Sequence, residues 1–152
     1  MAIPDSNRIP TLPTDFNPLE NSAEYKLLYL QDLVADKSYN AITEFLQKQS
    51  EYEIANLLES FPAQSRLLIW QQVPEDIKGE VLAELELDTR QPLLDKISSQ
   101  EISILAQDLD AQDISEILET VTETVRTSVM ATLDEDVRIQ VNKLDTYEDW
   151  EV

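Results

Sequence analysis

Residues 57–73 read LLESFPAQSRLLIWQQV, and the spacing of their apolar residues decides the fold. Three apolar positions at the start of the stretch return twelve residues later, so that Leu57, Leu58 and Phe61 are followed by Ile69, Trp70 and Val73. The third position recurs down the chain as Phe61, Val73, Leu85, Ile97, Leu109, Val121 and Leu133. Apolar residues at i, i+1 and i+4 form one stripe on a helix and match no alternating strand. The chain therefore repeats one helical unit every twelve residues.

Helix-start signals stand just after the residues in this third position, which we call the seam residues. Proline suits a first helical turn because its missing N–H has no partner there. The capping box S-x-x-E satisfies two open backbone donors, and Asp and Thr also cap helices well. The signals are Pro62 and Pro74, the pairs Ser50–Glu53 and Ser98–Glu101, and the caps Asp110, Thr122 and Asp134. Twelve residues less a short turn leave helices of about 8 to 10 residues.

Helices this short do not persist alone in water, so they must stack and bury their stripes against each other. The sequence therefore predicts an all-α superhelical stack, an α-solenoid of about ten short helices with a 12-residue helix period. An ordinary helical bundle whose helices happen to be similar in length is the alternative. The predicted helices cover 23–36, a segment that begins at Ser38 or Asn40, and then 51–61, 63–72, 75–85, 88–97, 99–109, 111–121, 123–133 and 135–144.

The stack is predicted to occupy residues 23–144. Residues 1–22 carry four prolines and no apolar periodicity, which predicts a disordered or loosely docked arm. Four apolar residues would pin that arm to the first helix, namely Ile9, Leu12, Phe16 and Leu19. Residues 145–152 are predicted to be an acidic C-terminal tail or the start of a linker.

Composition excludes several classes of function. The chain has no cysteine and no histidine, which removes thiolate chemistry, the commonest general base and the commonest transition-metal ligand. Gly79 is the single glycine, so a phosphate-cradling Gly-rich loop is impossible. No cluster of catalytic groups stands out from the charge background, and we expect that the protein is not an enzyme.

The net charge of −20 restricts the partners of the chain. Nucleic acid would be repelled, because its binding depends on phosphate neutralisation by Lys and Arg. Such a surface attracts cations or a basic protein. No apolar run is long enough to cross a membrane, and no secretory signal is present, so neither membrane insertion nor export is expected. These features predict a cytosolic location.

A second phase of the repeat is mostly basic. The position seven residues before each seam is held by Ile54, Arg66, Lys78, Arg90, Ile102, Ile114, Arg126 and Arg138. We expect a structural role for the basic members, in which the stem packs against the stack and the charged head meets a carboxylate.

Several runs resemble the cytosolic N-terminal domain of MgtE-type magnesium transporters. They are Ile54-Ala55-Asn56-Leu57-Leu58-Glu59, Lys78-Gly79-Glu80-Val81-Leu82-Ala83-Glu84-Leu85, Asp113-Ile114-Ser115-Glu116-Ile117-Leu118, and the Arg66-Leu67-Leu68 element after Pro62. The resemblance covers roughly residues 24–149. The flagellar switch protein FliG has similar short-helix repeats and is the nearest family with which the chain could be confused.

The resemblance implies a regulatory module that lies ahead of a pair of CBS domains and a membrane pore. Magnesium bound between this module and the CBS domains favours a closed assembly, so the module would act as an intracellular magnesium sensor. The family's magnesium-facing carboxylates fall on Glu80, Asp113 and Glu116. The family's acidic cluster D-D-x-x-D begins with an aspartate where this chain has Gln112. A site at an interface with a partner domain would bind Mg²⁺ weakly in the isolated chain.

A stand-alone protein-interaction scaffold without metal function is the alternative. Its concave face would bind a helix or a basic protein partner, with Trp70, Phe61 and Tyr52 as candidate anchors. Core packing explains Trp70 better, because it shares a phase with Leu58 and Leu82.

Overall fold

A computed structural model describes residues 23–151, with side chains described as far as residue 144. Every regular element in that range is an α-helix, which confirms the all-α prediction. The ten helices are α1 Ala23–Ala35, α2 Tyr39–Leu46, α3 Glu51–Glu59, α4 Ala63–Gln71, α5 Glu75–Glu84, α6 Leu87–Leu94, α7 Ser99–Ala106, α8 Ala111–Leu118, α9 Glu123–Thr132 and α10 Glu135–Glu151. The superhelical arrangement of the whole chain stays a prediction. The predicted arm at residues 1–22 lies outside the described residues.

The chain divides into two compact units, Met1–Pro74 and Glu75–Val152. In the first unit, α1 packs against α2 and α4, and α3 packs against α4. In the second unit, α7 packs against α5 and α9, while α8 packs against α5 and α10. Helices two positions apart in the chain are thus neighbours in the second unit, as they are where helical hairpins of 24 residues stack.

The periodic stripe forms much of the core of both units. All three stripe positions of the seven repeats from Leu57 to Leu133 are buried except two, Val121 and Met130, which are half-buried. Trp70 is 1% exposed, in the same phase as Leu58 and Leu82, neither of which is exposed at all. The twelve-residue count therefore identified the core correctly.

Most of the repeat helices end before their seam residue, which corrects the predicted bounds. Helix α3 ends at Glu59, yet the N–H of Phe61 still donates to the carbonyl of Leu58 at 3.3 Å. The chain leaves each helix through a tight turn of this kind, and the seam side chain then folds back into the core. The exception at the other extreme is α10, which continues to Glu151 rather than ending at residue 144.

The predicted caps explain where the helices begin. Ser50 and Glu53 form the complete capping box, in which Ser50 Oγ accepts from the Glu53 N–H and Glu53 Oε1 accepts from the Ser50 N–H. Ser98, Asp110 and Thr122 each accept from the N–H three residues later. Pro62 is the residue just before α4 and not its first helical residue.

The basic phase has a different partner from the one expected. The guanidinium of Arg66 donates to backbone carbonyls at the end of the preceding helix, from Nε to Leu58 O at 2.9 Å and from Nη2 to Phe61 O at 2.7 Å. Arg138 repeats this geometry on the carbonyls eight and five residues before it, at 3.3 and 3.1 Å. A cation is favourable at a helix C-terminus, and the last turn of α3 has no basic residue of its own. The prediction of carboxylate partners was wrong for these two arginines.

Substitution of Arg66 tests this cap. We expect Arg66→Ala to lower the free energy of unfolding by about 1.5–3 kcal/mol, because two carbonyls lose a charge-assisted bond. Arg66→Lys should recover only part of the loss, since one ammonium cannot reproduce the planar fork. The measurement is urea unfolding followed by circular dichroism. Lys48→Ala, which removes an exposed positive charge in the same unit, should have a much smaller effect. Equal losses for Ala at 66 and at 48 would mean that net charge alone is responsible.

Candidate functional site

The predicted magnesium-facing carboxylates lie on two helices of the second unit. Glu80 is exposed on α5, and Asp113 and Glu116 are half-buried on α8. Helices α5 and α8 pack against each other. Asp113 and Glu116 share one turn of α8, and Glu80 is exposed on α5.

The position of α5 is fixed by the two residues before Glu80. Gly79 lies so close to α7 that a Cβ atom there would be 3.0 Å from the carbonyl oxygen of Leu105. The ammonium of Lys78 is 3.4 Å from Glu75 and 3.7 Å from Glu101. Lys78 therefore compensates those two carboxylates, and Glu80 is left on the exposed side of the helix.

Three carboxylates lie along α8, at its N-cap Asp110 and within the helix at Asp113 and Glu116, and we call them the α8 acidic cluster. Asp110 is the N-cap residue, and its Oδ1 accepts from the Asp113 N–H at 2.9 Å. Burial raises the pKa of the Asp113 carboxyl above its usual range, and the charges of Asp110 and Glu116 raise it further. The raised pKa of Asp113 thus indicates that its negative charge is only partly solvated and lies close to other negative charges.

This negative charge has no close cation in the part of the chain with described side chains. There, no Lys or Arg nitrogen lies within 4 Å of a carboxylate of the α8 acidic cluster. Arg90 on α6 is 7% exposed and contacts the backbone of the cluster, since its Nη2 is 3.4 Å from the carbonyl oxygen of Glu116. Burial lowers the pKa of Arg90, while the charges of Glu116 and Glu119 oppose that change.

The side chains described, residues 23–144, hold no ready-made metal site built from three or more acidic groups. Mg²⁺ needs fewer protein ligands than that, because it keeps several of its waters and commonly uses one or two carboxylates. A role for Glu80, Asp113 and Glu116 in facing Mg²⁺ therefore stays a prediction.

A groove of about 490 Å³ adjoins the cluster, between the first turn of α8 and α10. Its lining includes Asp110 and Gln112 from α8, and Gln140 and Lys143 from α10. Gln112 is exposed there, so the residue that departs from the family pattern faces the groove with a neutral amide. Lys143 adds a positive charge on the opposite helix.

Two of the candidate anchors for a protein partner belong to the core. Phe61 is 5% exposed and Trp70 is 1% exposed, so neither presents a surface to a partner. Tyr52 is 59% exposed and stays available.

Asp110 and Arg90 were not recognised as parts of this site from the sequence. Asp110 was identified only as a helix cap, although its spacing from Asp113 and Glu116 is that of one helix face. Arg90 reaches the cluster through a backbone carbonyl 26 residues away, and no sequence pattern indicates such a contact.

Fold and site together define the class of protein, which is an all-helical domain of short repeats with an acidic cluster along one helix. The sequence model of the MgtE intracellular N domain matches residues 49–149. The chain belongs to this family of magnesium-transporter domains. A search of curated proteins finds no match to the chain. None of the described helices is long and apolar enough to cross a membrane.

The raised pKa of Asp113 gives a test of the cluster. In the folded chain its carboxyl should titrate above the usual Asp value of about 3.9. Because the folded state holds this proton more tightly than the unfolded state, the stabilisation is fully present below about pH 3.9. It is lost as the pH rises through the higher folded value. The measurement is an NMR titration of the Asp113 carboxyl carbon.

Glu116→Gln should move the Asp113 midpoint down toward its usual range, since it removes one of the two charges that raise it. Glu119→Gln, a matched change three residues further along, should leave the midpoint in place. An Asp113 midpoint at or below the usual value in the unsubstituted chain would contradict the cluster as described.

Proposed function

We propose that this chain is a magnesium-sensing regulatory module on the cytosolic side of a magnesium transporter. Membership of the MgtE intracellular N domain family supports a place beside a transporter. The α8 acidic cluster supplies the group that responds to the ion. The module does not catalyse a reaction; it converts Mg²⁺ occupancy into a contact with another domain.

The observation that carries this proposal is the half-buried Asp113 carboxylate with a raised pKa and no cation within 4 Å among the described side chains. Burial and the charges of Asp110 and Glu116 disfavour the charged form of Asp113, so this carboxylate is the member of the cluster that gains most from a nearby cation. A small divalent cation that prefers oxygen ligands, such as Mg²⁺, relieves the repulsion among these carboxylates more effectively than screening by a monovalent salt does. The Glu75 and Glu101 carboxylates offer less, because Lys78 already compensates them.

Two features of the cluster keep the affinity for Mg²⁺ low. Two carboxylates leave most of the coordination sphere to water. The positive end of the α8 dipole also lies at Asp110 and Asp113, which opposes a cation bound there. A weak site becomes tighter when a second domain contributes ligands, and this is how Mg²⁺ would couple the module to CBS domains next to the membrane pore. Glu80, exposed on α5, would face a partner domain in the same manner.

A Mg²⁺ titration of the full chain, followed by backbone amide NMR, tests the proposal. We expect saturable shifts at residues 110–116, with KCl at matched ionic strength as the reference. Asp113→Asn or Glu116→Gln should weaken the apparent affinity by about tenfold or more, since each removes a ligand or its close electrostatic partner. Asp108→Asn, an exposed carboxylate just after α7, is the charge-matched control and should leave the affinity unchanged.

A parallel titration of Glu80→Gln separates the two surfaces. It should remove shifts on α5 and spare those on α8, while Glu84→Gln, one turn further along α5, should remove neither. Diffuse shifts that KCl reproduces would mean that Mg²⁺ only screens a highly acidic surface. The metal function would then be abandoned in favour of the interaction scaffold.

A further inference from the structure

Arg90 is a buried cation beside the α8 acidic cluster, and no carboxylate pairs with it directly. Its side chain belongs to a residue that is only 7% exposed, although arginine is almost never buried this far without a paired charge. Among the side chains described, no carboxylate oxygen lies within 4 Å of its guanidinium. Its Nε is buried without a hydrogen-bond partner, while Nη1 and Nη2 donate to the carbonyls of Ala83 and Glu116, each at 3.4 Å. The charge of Arg90 is therefore poorly compensated.

The same position elsewhere in the repeat shows what Arg90 does not supply. Arg66 also stands seven residues before its seam, and its guanidinium caps a helix end with bonds of 2.9 and 2.7 Å. The bonds of Arg90 are longer, so its cap is weaker. Isoleucine occupies this position at Ile102 and Ile114, so the space can be filled without a charge. What Arg90 adds at its place is a positive charge that is withdrawn from water.

This charge acts on the carboxylates of α8. The Nη2 of Arg90 contacts the backbone of Glu116, whose own carboxylate belongs to the cluster. Burial lowers the pKa of Arg90 and the charges of Glu116 and Glu119 oppose that change, so both carboxylates lie within electrostatic reach of the guanidinium. A fixed cation here attracts the Glu116 carboxylate and repels any metal ion that approaches it. Because Arg90 is buried, salt screens both effects less than it screens those of an exposed lysine.

We infer that Arg90 sets the affinity of the α8 acidic cluster for Mg²⁺, because its guanidinium competes with the ion for the carboxylate of Glu116. The inference rests on the proposed magnesium function and names the residue that regulates it. Arg90 acts through Glu116 and is not itself a ligand, since a guanidinium has no acceptor to offer a metal. Its charge raises the Mg²⁺ concentration at which the site fills, without any change in the ligands.

Mg²⁺ titrations of two Arg90 variants of the full chain, followed by backbone amide NMR at residues 110–116, test the inference. Arg90→Met keeps a long unbranched stem and removes the charge, so it should tighten the apparent affinity by about three- to tenfold. Arg90→Lys keeps the charge and loses the planar fork, so its affinity should stay within about twofold of the unsubstituted chain. Lys96→Gln, which removes an exposed positive charge from the same unit, is the charge-matched control and should also stay within about twofold.

The outcomes separate this inference from the proposed function. An affinity that is unchanged in Arg90→Met, or tightened equally in Arg90→Met and Arg90→Lys, would overturn the role of Arg90 and leave the magnesium site standing. The absence of saturable shifts at residues 110–116 in the unsubstituted chain would overturn both. If circular dichroism shows that Arg90→Met does not fold, Arg90→Gln replaces it with the same expected result, because its neutral amide can still donate to the carbonyl of Ala83 or Glu116.

Discussion

Helices of eight to ten residues do not survive alone in water, and α2 to α9 are all of this length. Each persists only because its apolar stripe is removed from solvent by neighbouring helices. The stripe holds only three positions per repeat, so nearly every one of them must be buried, and the structure obeys this closely from Leu57 to Leu133. A helix with a broad apolar face can lose one contact and remain folded. A helix with so few anchors depends more heavily on each of them, which is why the twelve-residue spacing holds over seven repeats.

The same constraint produces a second periodic device. Helices that end every twelve residues expose a set of C-terminal carbonyls every twelve residues, and those carbonyls need donors. Arg66 and Arg138 supply them from the following helix, 72 residues apart and with the same offsets to their acceptors. The arginines occupy the position seven residues before each seam, which we call the slot. Where the slot holds isoleucine instead, as at Ile54, Ile102 and Ile114, the side chain is at most 1% exposed. The slot is therefore a packing position first. The long arginine stem fills it as isoleucine does, and the guanidinium adds a cap where a helix end is within reach.

The sequence predicted the parts of the fold that depend on periodicity and on local chemistry. The stripe and the all-helical class followed from spacing, and the caps at Ser50, Ser98, Asp110 and Thr122 followed from the chemistry of their side chains. It did not predict the acceptors of Arg66 and Arg138, because a backbone carbonyl is present at every residue and leaves no signal in the sequence. The helices predicted from the sequence were too long at most of their C-terminal ends for a related reason. The seam residue is buried whether it belongs to the helix or to the turn after it, so its apolar character does not mark the end of the helix. The grouping of Asp113 with Glu116 was predictable from helical spacing, whereas the contact of Arg90 with Glu116 was not.

Among 31 acidic residues, the problem at the candidate site is to separate a responsive carboxylate from a solvated one. Solvation rules out most of the acidic residues as candidates, since an exposed carboxylate in water interacts weakly with its neighbours and with ions. Pairing with a lysine rules out others as candidates, since Lys78 compensates Glu75 and Glu101, and Lys26 compensates Glu53. Asp113 differs from both groups, because it is partly withdrawn from water and its nearest charged neighbours are also acidic. A carboxylate of that kind makes the folded state less favourable once it is charged, and in the function we propose a bound Mg²⁺ offsets that cost. Ion binding at such a position is linked to the free energy of the fold itself, so a weakly bound ion there can still favour one arrangement of domains over another.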